Sequence, residues 1–114
     1  MGIDETSIID FVSVDDANNV NLTISDHLDW SAPQQHLFLL QEKINTYCKY
    51  VENGQLYDDY PDTRDRRPAI EIIFFHKPVT DAERFLDKIK SILEQEGFSL
   101  SWGLYGHRTK EPHT

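Results

Sequence analysis

The segment Ser25-Asp26-His27-Leu28-Asp29-Trp30 sets two carboxylates and an imidazole close together, and His36 follows a short way on. Side chains of these types can transfer protons or hold a divalent cation. Asp26, His27, Asp29 and His36 are therefore the candidate centre of a small metal-dependent hydrolase. A metal needs three or four converging ligands. Asp26 and His27, however, are neighbours in an extended segment, where successive side chains face opposite ways. The same residues also have an architectural use. Asp26 can accept backbone N–H bonds where a helix begins, His27 can bond locally, and Trp30 can pack as a hydrophobic staple.

Other chemistries find less support. Ser25 lies near His27, but the chain has no Gly-x-Ser-x-Gly turn to expose a nucleophile. None of the 5 glycines cluster to cradle a phosphate, so nucleotide binding through a P-loop or dinucleotide fingerprint is excluded. Asp58, Asp59, Asp62 and Asp65 match a calcium loop in composition only, without its central Gly and final Glu. No cofactor is expected, and neither catalytic nor metal-binding residues are assigned. His76, in the inward register near the end of a strand, reads as a satisfied, partly buried histidine.

Two strands precede this segment, Ile8 to Val14 and Val20 to Ile24, joined as a hairpin by the turn formers Asp15-Asp16-Ala17-Asn18-Asn19. After it, Ser31 and Gln34 form a capping-box pattern with Pro33 in the first turn. Leu37, Leu40, Ile44, Tyr47, Cys48 and Val51 then make one helical stripe that ends at Gly54. A long connection, Gln55 to Pro68, leads to a strand over Ala69 to His76. A second capping box, Thr80-Asp81-Ala82-Glu83, opens a helix with the stripe Ala82, Phe85, Leu86, Ile89, Ile92 and Leu93. Phe98 to Leu104 alternates as a last strand.

The order ββαβαβ predicts an α+β two-layer sandwich, a mixed four-stranded sheet with two helices on one face. The inner face should carry Val20, Leu22, Ile24, Ile70, Ile72, Phe74, Phe98, Leu100 and Trp102. Asn21, Thr23, Glu71, Ser99 and Ser101 should lie on the outer face, with Ile73 and Phe75 as apolar exceptions that would suit a homodimer contact. Residues 1–104 read as one domain and 105–114 as a flexible polar tail.

Charge adds a direction. The 114 residues carry a net charge of -9, and residues 1–30 hold seven acids without a Lys or Arg. Such a segment repels phosphate backbones and attracts a basic protein. No apolar run is long enough to span a bilayer, and the N-terminus lacks a signal-peptide pattern, so the expected compartment is the cytoplasm. No membrane partner is expected. Cys48, the single cysteine, falls on a helix's apolar side and reads as a small hydrophobe.

Ile9-Asp10-Phe11, the string Leu22 to Trp30, and His36-Leu37 with Leu39-Leu40-Gln41-Glu42-Lys43-Ile44-Asn45 resemble an uncharacterised family of small bacterial proteins, a domain of unknown function. The resemblance continues through Gly54, Tyr60-Pro61, Phe85-Leu86 and Gly97-Phe98. It implies a bacterial, single-domain, non-secreted protein and supplies no activity or site residue. Small size and acidic charge, by analogy and not from the resemblance, point to a non-catalytic protein-binding module, immunity- or antitoxin-like, with a basic partner. Its contacts are expected at Asp15, Asp16, Tyr57, Asp58, Asp59 and Tyr60.

Overall fold

The structure is a computed structural model that describes residue 3, residues 9–14 and residues 18–106. Strand β1 (Phe11–Val14) pairs antiparallel with β2 (Asn19–Asp26), which runs parallel to β3 (Arg67–Phe74), itself parallel to β4 (Ser99–Leu104). Sheet order follows chain order. Helix α1 (Pro33–Glu52) connects β2 to β3, and α3 (Thr80–Gln95) connects β3 to β4. The fold is therefore α+β with the predicted ββαβαβ order. Between α1 and β3 lie a short helix, α2 (Gln55–Asp59), and one 3-10 turn over Pro61–Thr63. Both interrupt what the sequence presents as one loop.

Strict alternation in β2 has the expected result. Val20, Leu22, Ile24 and also Asp26 are fully buried, while the residues between them are half-buried on the other face. Ile70, Ile72, Phe74, Phe98 and Leu100 join them, with Trp102 packed against the cluster. Leu40, Ile44, Tyr47 and Val51 of α1 and Leu86 and Leu93 of α3 belong to this same core, so both helices cover one sheet face. On the other face Ile73 is half-buried, and the exposed Phe75 stacks on Tyr105 with ring centroids 4.7 Å apart.

Both predicted capping boxes fail. Helix α1 starts at Pro33 with Ala32 as N-cap, α3 starts at Thr80 with Val79 as N-cap, and neither start has a side-chain cap. Ser31 is instead drawn to Asp29, whose Oδ1 accepts both the Ser31 N–H and its hydroxyl, at 3.1 and 2.7 Å. Gly54 ends α1's run as expected, and its φ of 86° lets the chain turn at once into α2. The strand predicted to His76 ends at Phe74, and His76 is exposed rather than buried. Ile92, assigned to the α3 stripe, is 52% exposed. The turn residues Asp15, Asp16 and Ala17, and the tail from His107, lie outside the described residues.

One polar pair sits deep in the helix–sheet interface. Lys43 of α1 is fully buried, and its Nζ lies 2.9 Å from Asp10 Oδ1. The Asp10 N–H donates to the Tyr47 hydroxyl, which in turn donates to the Thr23 carbonyl at 2.6 Å. Asp10 Oδ2 accepts the Ser25 N–H. The segment before β1 is thus fastened to both α1 and β2.

Burial separates core from surface along α3. Leu86→Ala should cost about 3 kcal/mol in urea unfolding, the usual loss for a leucine in a packed core. Ile92→Ala should stay within about 1 kcal/mol of wild type. Equal losses would contradict this packing.

Candidate functional site

The junction after β2 brings together two of the four residues singled out from the sequence. Asp26 is the last inward residue of β2, and His36 lies in the second turn of α1. Both are buried, and His36 Nε2 lies 2.6 Å from Asp26 Oδ2 and 2.8 Å from Oδ1. His36 Nδ1 lies 3.0 Å from the Asp29 carbonyl, which can only accept, so Nδ1 carries a proton. Trp30 closes the group, its ring stacked on the imidazole at 3.6 Å and its indole N–H donating to the His76 carbonyl. Asp26 Oδ1 also accepts the Leu28 N–H, a local turn that starts the strand-to-helix connection.

His27 and Asp29 do not join them. His27 is exposed, and the Asp29 carboxylate is exposed and occupied by Ser31. The Ser31 hydroxyl, then its N–H, hold the Asp29 carboxyl below the usual aspartate value. Burial dominates at Asp26 and raises its carboxyl above the ordinary 3.8 despite the His36 contact. Among the described residues no three His, Cys, Asp or Glu side chains are grouped to hold a metal ion. A depression of about 230 Å³ beside His36, walled by Leu28, Gln35 and Leu39, reaches the surface here. Both imidazole nitrogens are engaged, so the dyad presents no free base to it.

A larger cleft, about 670 Å³, opens between the outer edge of β1, the second half of α1 and α2. Its lining includes Phe11 and Val12 of β1, Thr46, Lys49 and Tyr50 of α1, and Asn53, Gln55, Asp59 and Tyr60 beyond it. Phe11 is 60% and Tyr60 46% exposed. The Tyr50 hydroxyl donates to Asp59 Oδ2 at 2.8 Å and so ties α2 to α1. Burial first, then Asp59, pushes the Tyr50 phenol up.

Of the contact residues expected from the sequence, Asp59 and Tyr60 line this cleft. Tyr57 is half-buried with Arg64 over its ring at 5.8 Å, Asp58 is exposed, and Asp15 and Asp16 lie outside the described residues. Phe11, Lys49 and Tyr50 were not singled out. Tyr50 carried a signal, since it follows Tyr47 by three positions and so falls on the buried face of the helix. Phe11 carried none beyond a place in a strand.

The family model described as "Family of unknown function (DUF6572)" matches residues 1–106, so the chain belongs to that family. The match bears out the resemblance in one respect, a domain of unknown function. No curated protein and no solved structure matches it. Among the described residues no helix is long and apolar enough to cross a membrane.

Removing one partner of the dyad should be costly. His36→Ala leaves a buried carboxyl without its partner and should destabilise the fold by about 3 kcal/mol or more. Asp26 binds its proton more tightly folded than unfolded. That stabilisation is complete below the ordinary value of 3.8 and is lost as pH rises through the raised value. Measured against the non-titrating Asp26→Asn, wild type should therefore gain relative stability from neutral pH down to about pH 4. Parallel pH profiles would show that Asp26 does not titrate as described.

Proposed function

We propose that this member of the DUF6572 family is a non-catalytic protein-binding module, an acidic bacterial chain that holds a basic protein as an immunity protein or antitoxin does. The observation that carries the reading is the cleft of about 670 Å³ at β1, α1 and α2, whose lining includes the exposed Phe11 and Tyr60. Among the described residues β1 is an edge strand of the sheet, and an edge strand can pair with a partner's chain. Tyrosine and phenylalanine offer large, rigid contact area at low entropic cost, which suits a protein contact. The engaged state of the Asp26–His36 dyad favours binding over acid–base catalysis, and the net charge of -9 favours a basic partner.

Phe11→Ala combined with Tyr60→Ala tests the reading, because both side chains are largely exposed and the fold should tolerate their loss. Wild type immobilised in lysate of its own host should retain a basic protein, identified by mass spectrometry. The purified pair should then show an affinity that weakens as salt rises. The double variant should bind that protein at least about tenfold more weakly. Equal affinity of both chains, or no retained protein, would overturn it.

A further inference from the structure

On the side of the helix layer away from the sheet, α1 and α3 leave a second opening, a groove of about 330 Å³. Its floor is apolar, built from Ile44, Cys48, Ile89 and Leu93, with Ile92 standing on its lip at 52% exposure. Each helix returns from the end of one parallel strand to the start of the next, so the two run in the same direction. Phe38, 60% exposed, extends the stripe of Asn45, Cys48 and Glu52 along α1 by two turns toward its N-terminus. On α3 the half-buried Phe85 does the same for Ile89, Ile92 and Glu96.

Phe38 and Phe85 lie beyond the N-terminal end of the groove. At its other end Glu52 and Glu96 line the walls, beside the C-termini of two parallel helices with the negative ends of their dipoles. Lys49 lines this groove too, but it also lines the cleft by β1, at the boundary between the two openings.

We propose that this groove receives an amphipathic helix of a partner protein, with apolar side chains along Ile92 and Cys48 and lysines or arginines at Glu52 and Glu96. Helix-in-groove recognition needs an apolar channel, which this groove supplies, and the two glutamates in its lining complement basic residues on the partner helix. Glu52 and Glu96 line the groove with Cys48. Burial, then these two carboxylates, push the Cys48 thiol up to about 11. Lys49 is the one lining residue that the groove shares with the cleft beside β1.

The probe is a synthetic helical peptide of roughly 16 leucines and lysines, the length of α3, with the leucines on one face. The control has the same composition scrambled so that no apolar face forms. Binding is followed by titration calorimetry and by the rate at which N-ethylmaleimide modifies Cys48, the single cysteine. The amphipathic peptide should bind and slow Cys48 modification about tenfold, and the scrambled one should do neither. Ile92→Asp should abolish binding although it adds a negative charge, which separates groove docking from bulk attraction. Glu52→Gln with Glu96→Gln, both at exposed positions, should weaken binding and flatten its salt dependence. The Phe11→Ala, Tyr60→Ala chain should bind the peptide as wild type does. Undiminished binding by Ile92→Asp, equal binding of the scrambled peptide, or unchanged Cys48 modification would overturn the proposal. So would a wild-type dimer in light scattering that Ile92→Asp dissociates.

Discussion

Four polar side chains on the buried face of α1 decide where that helix can sit. His36, Lys43, Tyr47 and Tyr50 follow one another at helical spacing and all lose their water. A buried polar group without a partner costs more than a hydrogen bond returns, so each must find one. Their partners come from separate places: Asp26 and the Asp29 carbonyl at the end of β2, Asp10 before β1, the Thr23 carbonyl within β2, and Asp59 in α2. Sliding α1 by one turn would leave all four unpaired while keeping much of the apolar contact. The apolar residues supply the energy of docking, and the polar ones supply its register. That division is a known use of buried polar pairs.

The same arrangement limits where chemistry can occur. A histidine with both nitrogens engaged and an aromatic ring across its face has neither a free lone pair nor an approach for substrate. The lysine most shielded from water has a carboxylate at 2.9 Å and is held, not poised as a nucleophile. What stays open is the perimeter: the edge of β1 with its aromatic cleft and the outer groove between α1 and α3. Open edges and grooves recognise chains, since they offer backbone groups and apolar channels in place of converging reactive groups.

Much of this was legible in the sequence, for reasons that can be traced. Strand β2 alternates without exception from Val20 to Ser25, and a period of two assigns faces directly. The acids and histidines near residue 26 marked the junction correctly, yet the pairing of Asp26 with His36 was not readable. It depends on how the chain bends between Leu28 and Ala32, and Asp29 controls that bend by capturing Ser31. This capture also removed Ser31 from the helix cap that its spacing suggested. Lys43 escaped notice because stripe reading scores apolar type, and a lysine on that stripe reads as an interruption unless its carboxylate is known. Helix α2 is 5 residues long, too short for periodicity to register. Ile92 fits the α3 period but lies at the margin of the apolar arc, where period alone cannot separate core from lip.

The buried pairs also change how the net charge should be understood. Asp26 is buried against His36, whose Nε2 lies 2.6 Å from the Asp26 Oδ2. Asp10 is matched by Lys43. Of the seven acids in the first thirty residues, Asp10 and Asp26 are thus paired inside the fold, whereas Asp29 is exposed. The field of an exposed acid reaches about a Debye length at physiological salt, so it speeds encounter rather than fixing the docked state. Holding a partner falls to surfaces that exclude water, where an aromatic or aliphatic side chain is worth more than a screened charge. On the reading proposed above, the charge asymmetry would act on approach, and specificity would come from exposed side chains such as Phe11, Tyr60 and Ile92.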